Sequence, residues 1–224
     1  METSGLRRVA LLRFTSGAVV LGVILFGTAG TLRYWEAWVF MVVLFLPAAL
    51  VVFYLLRYDP ELLERRLMAR EERDQQKAIT SLAAVAWLVG FLIPGFDHRF
   101  GWSSVSPFLV LLADLLVLTG YLVFFLALRE NRFASRIIRV EEGQTVITSG
   151  PYGIVRHPMY LGVTLMLLFA PLALGSWWAM IPTALTPFLL VLRIRDEEKA
   201  LLEALPGYRE YTRQTTRRLI PGVW

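Results

Sequence analysis

The chain of 224 residues contains no cysteine, which excludes disulfides, thiolate metal sites and cysteine nucleophiles. Histidine is nearly as scarce. His98 and His157 are the only imidazoles, too few for a histidine-rich metal site. Charged residues make up only 18% of the chain against 56% hydrophobic ones, with a mean hydropathy of +0.56. A soluble globular domain averages about 45–50% apolar residues. Internal repeats and low-complexity tracts are also missing. What is present is a series of long apolar runs, which indicates a polytopic membrane protein. The length allows one membrane domain and leaves little for a separate soluble one.

Six apolar stretches run roughly from Phe14 to Leu32, Trp35 to Leu56, Ile79 to Pro94, Ser106 to Leu128, Met159 to Leu174 and Trp177 to Leu192. A spanning helix needs about 20 mainly apolar residues. The third, fifth and sixth are short, which suits tilted or partly re-entrant helices. Gly175-Ser176 alone separates the fifth from the sixth, so a tight helical hairpin is expected there. The expected fold is an all-α integral membrane protein with five to six transmembrane helices. Residues 1–224 form a single membrane domain, with N-terminal helices and a cytoplasmic loop over 1–128 and a C-terminal region over 129–224.

The formal charge is +5, and its distribution reads as topology rather than as a nucleic-acid footprint. Arg7, Arg8 and Arg13 precede the first span, and six basic residues from Arg57 to Lys77 separate the second from the third. Five from Arg129 to Arg156 separate the fourth from the fifth, and seven follow the sixth. Only Arg33 and Arg99 fall on the other side. By the positive-inside rule, six spans place both termini of this multi-pass protein in the cytoplasm, and the short, compact chain points to a prokaryotic cell membrane. Arg7-Arg8 ahead of an apolar run resembles a signal peptide, but a second strong span follows at once, so a retained anchor is expected. Trp35, Trp38, Tyr54 and Tyr58 bracket the second span as interfacial anchors.

Two cytoplasmic segments carry local patterns. "RYDPELLERRLMAREERDQQK" groups Leu62, Leu63, Leu67 and Met68 on one face, predicting a short amphipathic helix on the membrane. "RENRFASRIIRVEEGQTVITSG" is β-branched around Ile137 to Val140 and Val146 to Thr148, with Glu142-Gly143 as a turn, predicting a small hairpin.

That hairpin leads into "SGPYGIVRHPMYLG", residues 149–162, the stretch that concentrates breakers and polar groups against an apolar run. Gly150-Pro151 and Gly153 signal a turn. Pro158 biases His157 to an extended conformation and suits the first position of a helix. The unpartnered amides of that helix start form an anion site, with Arg156 and His157 beside it. Tyr160 lies one turn further on, so all three can line one mouth. Gly162 permits close approach of a ligand or of a neighbouring helix. The plainer reading is a helix start with a snorkelling arginine and an interfacial tyrosine. The segment "VLRIRDEEKALLEALPGYREY" then leaves the sixth span with Ile194, Leu201, Leu202, Leu205 and Tyr208 on one face. Arg193 and Glu197 face together, as do Arg195 and Lys199, whereas adjacent Glu197 and Glu198 diverge by about 100°. A hairpin of the fifth and sixth spans returns this segment to the membrane face that carries His157.

"SGPYGIVRHPMYLG" followed by "RIRDEEKALLEALPGYREY" resembles the isoprenylcysteine carboxyl methyltransferase family, within a wider group that includes the phospholipid N-methyltransferases. The resemblance covers roughly residues 120–218. It implies S-adenosylmethionine as methyl donor, held at the cytoplasmic face by the RHPxYxG segment and the paired glutamates. By position, the implied cofactor contacts are Arg156, His157, Pro158, Tyr160, Gly162, Glu197 and Glu198, with Tyr152 and Leu161 in the same segment. Arg193 and Arg195 match basic positions just before the glutamate pair and, with Glu198, are the implied catalytic residues.

The chemistry fits that inventory. The helix start and His157 suit the donor's carboxylate, a glutamate its ammonium, and Tyr160 its sulfonium or adenine. Methyl transfer by in-line displacement depends on positioning and needs no metal. A lipophilic carboxylate from the bilayer needs only orienting, which Arg193 or Arg195 could do. An amine acceptor needs a base, which a glutamate could supply. Membrane lipids are the expected surroundings, and nucleic acid is not an expected partner. A membrane reductase using NADPH is the rival from another reaction class, since sterol reductases share an RHP-x-Y segment. Those read RHPNYxGD, followed by an RDxxRC-type segment; here Met159 and Val163 stand instead, and no cysteine exists. Two further residues stand out. Asp114, inside the fourth span, is either paired with a neighbouring helix or functional. His98, in the "GFDHRF" loop, is expected at the surface.

Overall fold

The computed structural model describes residues 3–68, 74–134 and 143–224, and among them every regular element is helical. Four helices are long and apolar enough to cross a membrane: α1 (Thr3–Ala29), α2 (Trp35–Tyr58), α4 (Asp74–Phe100) and α5 (Pro107–Glu130). Between them, α3 (Pro60–Met68) is the short amphipathic helix expected of the second loop. Asp59 begins it by accepting from Leu62 N at 3.0 Å. Leu62 and Leu63 are buried beneath the ends of α1, α2 and α5, whereas Met68 is exposed. Of the hairpin predicted after α5, Ile137 to Val140 and Glu142 lie outside the described residues. Residues 143–148 form no strand.

After a 3₁₀ turn (Gly150–Gly153) come α6 (Pro158–Ala173), α7 (Met180–Thr183), α8 (Thr186–Ala204) and α9 (Tyr208–Gln214). The fifth apolar stretch forms α6 as one uninterrupted helix of 16 residues. At about 1.5 Å per residue this is some 24 Å, short for a 30 Å hydrocarbon core. It nonetheless runs from one end of the bundle to the other. Met159 packs with Leu6, Leu62 and Leu128, and the carbonyl of Leu174 accepts from Tyr34 Oη at 2.5 Å at the opposite end. The sixth stretch is not a single helix. Gly175, at φ +71°, turns the chain back, and the run is then split between α7 and α8. Pro187 has no N–H to give to the carbonyl of Thr183, four residues earlier, so one continuous ladder cannot form. The hairpin is thus a straight α6 against a broken return.

Two helix pairs approach closely through glycine. Gly95 on α4 sits against Leu25 and Thr28 on α1, where an added Cβ would lie 2.8 Å from the carbonyl of Leu25. Gly120 on α5 faces Gly162 on α6. Small residues let membrane helices come together where lipid removes the hydrophobic incentive to associate. The outer faces, among them Val19, Val23, Leu46, Phe53, Leu115 and Leu122, remain exposed and apolar, as lipid-facing surfaces are. Leu6 near the N-terminus and the C-terminal segment beside His157 lie at the same end.

The far end is held by Asp97, which is buried and accepts from Ser103 N (2.7 Å), Ser103 Oγ (2.6 Å) and Ser176 Oγ (2.5 Å). This ties the α4–α5 connection to the α6–α7 turn. His98 next to it is exposed, as expected, and stacks on Tyr34 at 4.3 Å between ring centroids. Asp114 is buried in α5, and neither carboxylate oxygen has a partner among the described residues.

The glycine contact makes a direct prediction. A methyl at Gly162 would lie 2.5 Å from the carbonyl of Gly120 and 2.8 Å from the amide of Phe124, both backbone atoms. Gly162→Ala is expected to cost about 1–3 kcal/mol, the usual range for overpacking. Gly17→Ala, with open space around the site, is expected to cost nothing. Thermal unfolding in detergent micelles compares the two.

Candidate functional site

The segment before α6 adopts its conformation for the reasons its residue types suggest. Gly150, at φ +56°, opens the 3₁₀ turn, and Pro158 starts α6 with His157 as its N-cap. Leu161 N is the first amide with an intrahelical partner, His157 O at 3.1 Å, so the amides of Met159 and Tyr160 stand ahead of the helix ladder. Those of Arg156 and His157 are taken. They donate to the carbonyls of Arg217 and Arg218 at 2.9 and 2.8 Å, so the C-terminal segment lies alongside the motif like an added strand edge.

Beneath this join is a buried charge cluster. Arg156 and Glu198 are each 6% exposed and meet at 2.6 Å through Nε and Oε1. Arg156 Nη1 also donates to the carbonyls of Thr215 and Thr216, at 2.8 and 3.0 Å. Arg218 reaches the other carboxylate oxygen at 2.6 Å, and His157 Nε2 stands 3.4 Å from Oε1. A carboxylate only accepts, so Nε2 is the nitrogen that carries hydrogen toward it. Burial alone would push the Glu198 carboxyl up, but hydrogen bonds from His157, Arg156 and Arg218 outweigh it and bring it down to about 2.

Glu197, one residue earlier, belongs to a different cluster. Its Oε2 accepts from Tyr160 Oη at 2.6 Å, and Tyr160 Oη accepts from Arg193 Nε at 2.9 Å. The expected pairing of Arg193 with Glu197 along α8 is therefore made through Tyr160. The expected divergence of the two glutamates follows from the 100° step of the helix.

Arg156, His157, Met159, Tyr160 and Glu197 line one side of a cavity at this end of the bundle. Tyr152, Tyr208 and Tyr211 form much of the rest, with Asn131, Phe133 and Ala134 after α5 and residues 144–147. Tyr152 is fixed from both directions. Asn131 Nδ2 donates to its hydroxyl at 3.3 Å, and Tyr211 Oη donates to its carbonyl at 2.7 Å. Burial raises the Tyr152 phenol to about 12 and that of Tyr208 further, the latter helped by Glu198 and Glu197. Tyr208 is 4% exposed, and its hydroxyl has no partner among the described residues. An orphaned polar atom on a cavity wall is a hydrogen-bonding position for a ligand.

The residues singled out by sequence are thus brought to one region but not all to one surface. Arg156, His157, Tyr160, Glu197 and Tyr152 reach the cavity. Pro158 is buried as the first residue of α6, Leu161 continues the helix, and Gly162 faces Gly120 rather than the cavity. Glu198 lies behind Arg156, in contact with a separate surface cleft. Arg195 lines that cleft too, with Lys199, Arg209 and Arg218. Two positions apart on a helix is about 200°, so Arg193 and Arg195 face opposite ways. Neither arginine lies on the cavity wall. Leu202, placed by its spacing on the apolar face, is exposed, while Ile194, Leu205 and Tyr208 are buried. Sequence reasoning missed Asn131 and Tyr211 as wall residues and Arg218 as a second guanidinium on Glu198. The "PGYREY" break was legible, but which of its tyrosines faces inward depends on how α9 docks.

The cavity thus stands at one end of a helical bundle, built on an RHPxYxG helix start and Glu197. Residues 110–203 match the isoprenylcysteine carboxyl methyltransferase family. The matched region runs from α5 to the end of α8 and includes the motif, both glutamates and the close pair Gly120–Gly162. Over 126 residues the chain is also 32% identical to a protein of Cupriavidus metallidurans named cobalt-zinc-cadmium resistance protein CzcN. The alignment takes in 54% of this chain and 53% of that protein, so the chain spans about half the length of the curated relative it matches. The isoprenylcysteine carboxyl methyltransferase match supports a membrane methyltransferase.

Removing Arg156 should be costly. Arg156→Ala leaves Glu198 buried without its one buried guanidinium partner, and such a loss costs about 3–5 kcal/mol. Arg218→Ala should cost less, since that side chain is 38% exposed. Acid should act through the same group. The Glu198 carboxyl is depressed in the folded chain, so its contribution is complete above about pH 4.3, its ordinary value, and is lost as pH falls toward 2. The thermal midpoint of the wild type should fall across that window, and that of Glu198→Gln should fall less.

Proposed function

We propose that this protein is an S-adenosylmethionine-dependent methyltransferase. In this reading it acts on a lipophilic acceptor at the cytoplasmic membrane face, with an isoprenylcysteine-like carboxylate as the favoured substrate. The observation that carries the reading is the cavity wall itself, where a helix start, an imidazole, a carboxylate and a tyrosine hydroxyl unpartnered among the described residues converge. That donor set fits a zwitterion with a polar aromatic body. The free amides of Met159 and Tyr160, with His157, suit a carboxylate. Glu197 has one oxygen engaged by Tyr160 and suits an ammonium. Tyr160 and Tyr152 offer ring faces to a cation, and Tyr208 offers a hydrogen bond to a polar edge. When bound, S-adenosylmethionine supplies an electrophilic methyl group on a sulfonium centre.

The remaining work belongs to the chain. A carboxylate acceptor is already ionised at neutral pH, so the protein has only to align it and exclude water. The apolar wall residues Phe133, Val146, Ile147 and Leu201 suit that exclusion. An amine acceptor is the second reading, favoured by Glu197, which is on the wall and could take the proton that an amine must lose. The basic residues at this end of the bundle support a cytoplasmic location for it.

Calorimetry with S-adenosylhomocysteine on purified protein tests the cofactor. The wild type should bind it, and His157→Ala and Glu197→Ala should each weaken it by about tenfold or more, roughly one charge-assisted hydrogen bond. Unchanged affinity in both variants, or binding of NADPH instead, overturns the reading. Labelled methyl transfer to prenylcysteine, lipid-amine and fatty-acid acceptors then decides the substrate, with the prenylcysteine carboxylate expected to be labelled.

A further inference from the structure

Gln76 sits in the first turn of α4, outside the family match, and is completely buried. It touches two residues of α8 whose side chains are far from it in sequence. Its Oε1 accepts from Arg193 Nη1 at 2.9 Å, and its Nε2 donates to Asp196 Oδ2 at 2.6 Å. The chemistry fixes this orientation. A guanidinium has only donors and a carboxylate only acceptors, so the group between them must offer one of each. A primary amide of this length does so. A carboxylate there would stand against Asp196, and an ammonium against Arg193.

The chain of contacts continues to the cavity. Arg193 donates through Nε to Tyr160 Oη, which spends its own proton on Glu197 Oε2. Arg193 therefore donates in two directions, toward Gln76 and toward Tyr160, and each arm ends on a carboxylate. We propose that Gln76 is a positioning residue for the cavity: by holding Arg193 it fixes the Tyr160 hydroxyl and thereby the Glu197 carboxylate. This rests on the reading of that cavity as the methyl-donor site. Through it α4, from the other half of the chain, helps to set the geometry of a site whose wall residues all come from residue 131 onward. Gln76 does not line the cavity among the described residues, so its effect travels through Arg193 and Tyr160.

A double-mutant cycle between Gln76 and Tyr160 tests this, because Arg193 bonds to both. Gln76→Met keeps the length and removes both hydrogen bonds. S-adenosylhomocysteine affinity and thermal midpoint are measured for the wild type, Gln76→Met, Tyr160→Phe and the double variant. Gln76→Met should weaken binding about three- to tenfold in the wild-type background and hardly at all in Tyr160→Phe. The same factor in both backgrounds overturns the proposal. If the wild type binds no S-adenosylhomocysteine, the functional reading falls, and the relay is judged on the thermal midpoints, where additive shifts overturn it. Should Gln76→Met not fold, Gln76→Glu paired with Asp196→Asn restores one donor and one acceptor in the opposite sense. The pair should come within about twofold of wild-type affinity, or recover its midpoint, while Gln76→Glu alone does not. A pair no better than Gln76→Glu alone also overturns the proposal.

Discussion

The buried pair of Arg156 and Glu198 is the interaction on which this end of the molecule depends. Two opposite charges out of water are tolerable only when their remaining hydrogen-bonding capacity is met. Here the carbonyls of Thr215 and Thr216, the guanidinium of Arg218 and the imidazole of His157 meet it. Three of these partners come from the C-terminal segment and one from the start of α6. The pair therefore fixes the start of α6, the middle of α8 and the C-terminal segment in one arrangement. The same cluster holds His157 at the edge of the cavity.

A second constraint acts along the membrane axis. The Gly120–Gly162 contact brings α6 hard against α5, with the backbone of each helix against the glycine of the other. With α6 so fixed, the register of Tyr160 against α8 is fixed too. The Tyr160 hydroxyl then meets Arg193 and Glu197 at hydrogen-bonding distance. A packing contact with no polar atoms at the site thus sets the spacing of the polar atoms within it.

The division of the glutamate pair shows how far sequence could lead. Adjacent residues on a helix cannot face one direction, so it was legible that Glu197 and Glu198 would separate. Which of them would be enclosed by cations was not, because Arg218 and the Thr215 and Thr216 carbonyls reach Glu198 only after the chain has turned past Pro206-Gly207. Arg193 and Arg195 are alike in sequence terms. One stands behind Tyr160 and the other in a surface cleft, a difference set by helical phase relative to α6. Met68 and Leu202 show the same limit. Their spacing put them on apolar faces, and the actual docking angles left them exposed.

The sequence by itself determined the class of the molecule and the place of its site. Long apolar runs have only helices open to them in a bilayer, since every backbone polar group must be satisfied within the segment. A proline-led helix start preceded by Arg156 and His157 marks that place through local stereochemistry alone. The tertiary structure decided which side chains share the cavity, that the last apolar run is broken into α7 and α8, and that Gln76 reaches Arg193 across 117 positions of chain. Those outcomes depend on distances between segments remote in sequence, and close contact across helices is what sets them.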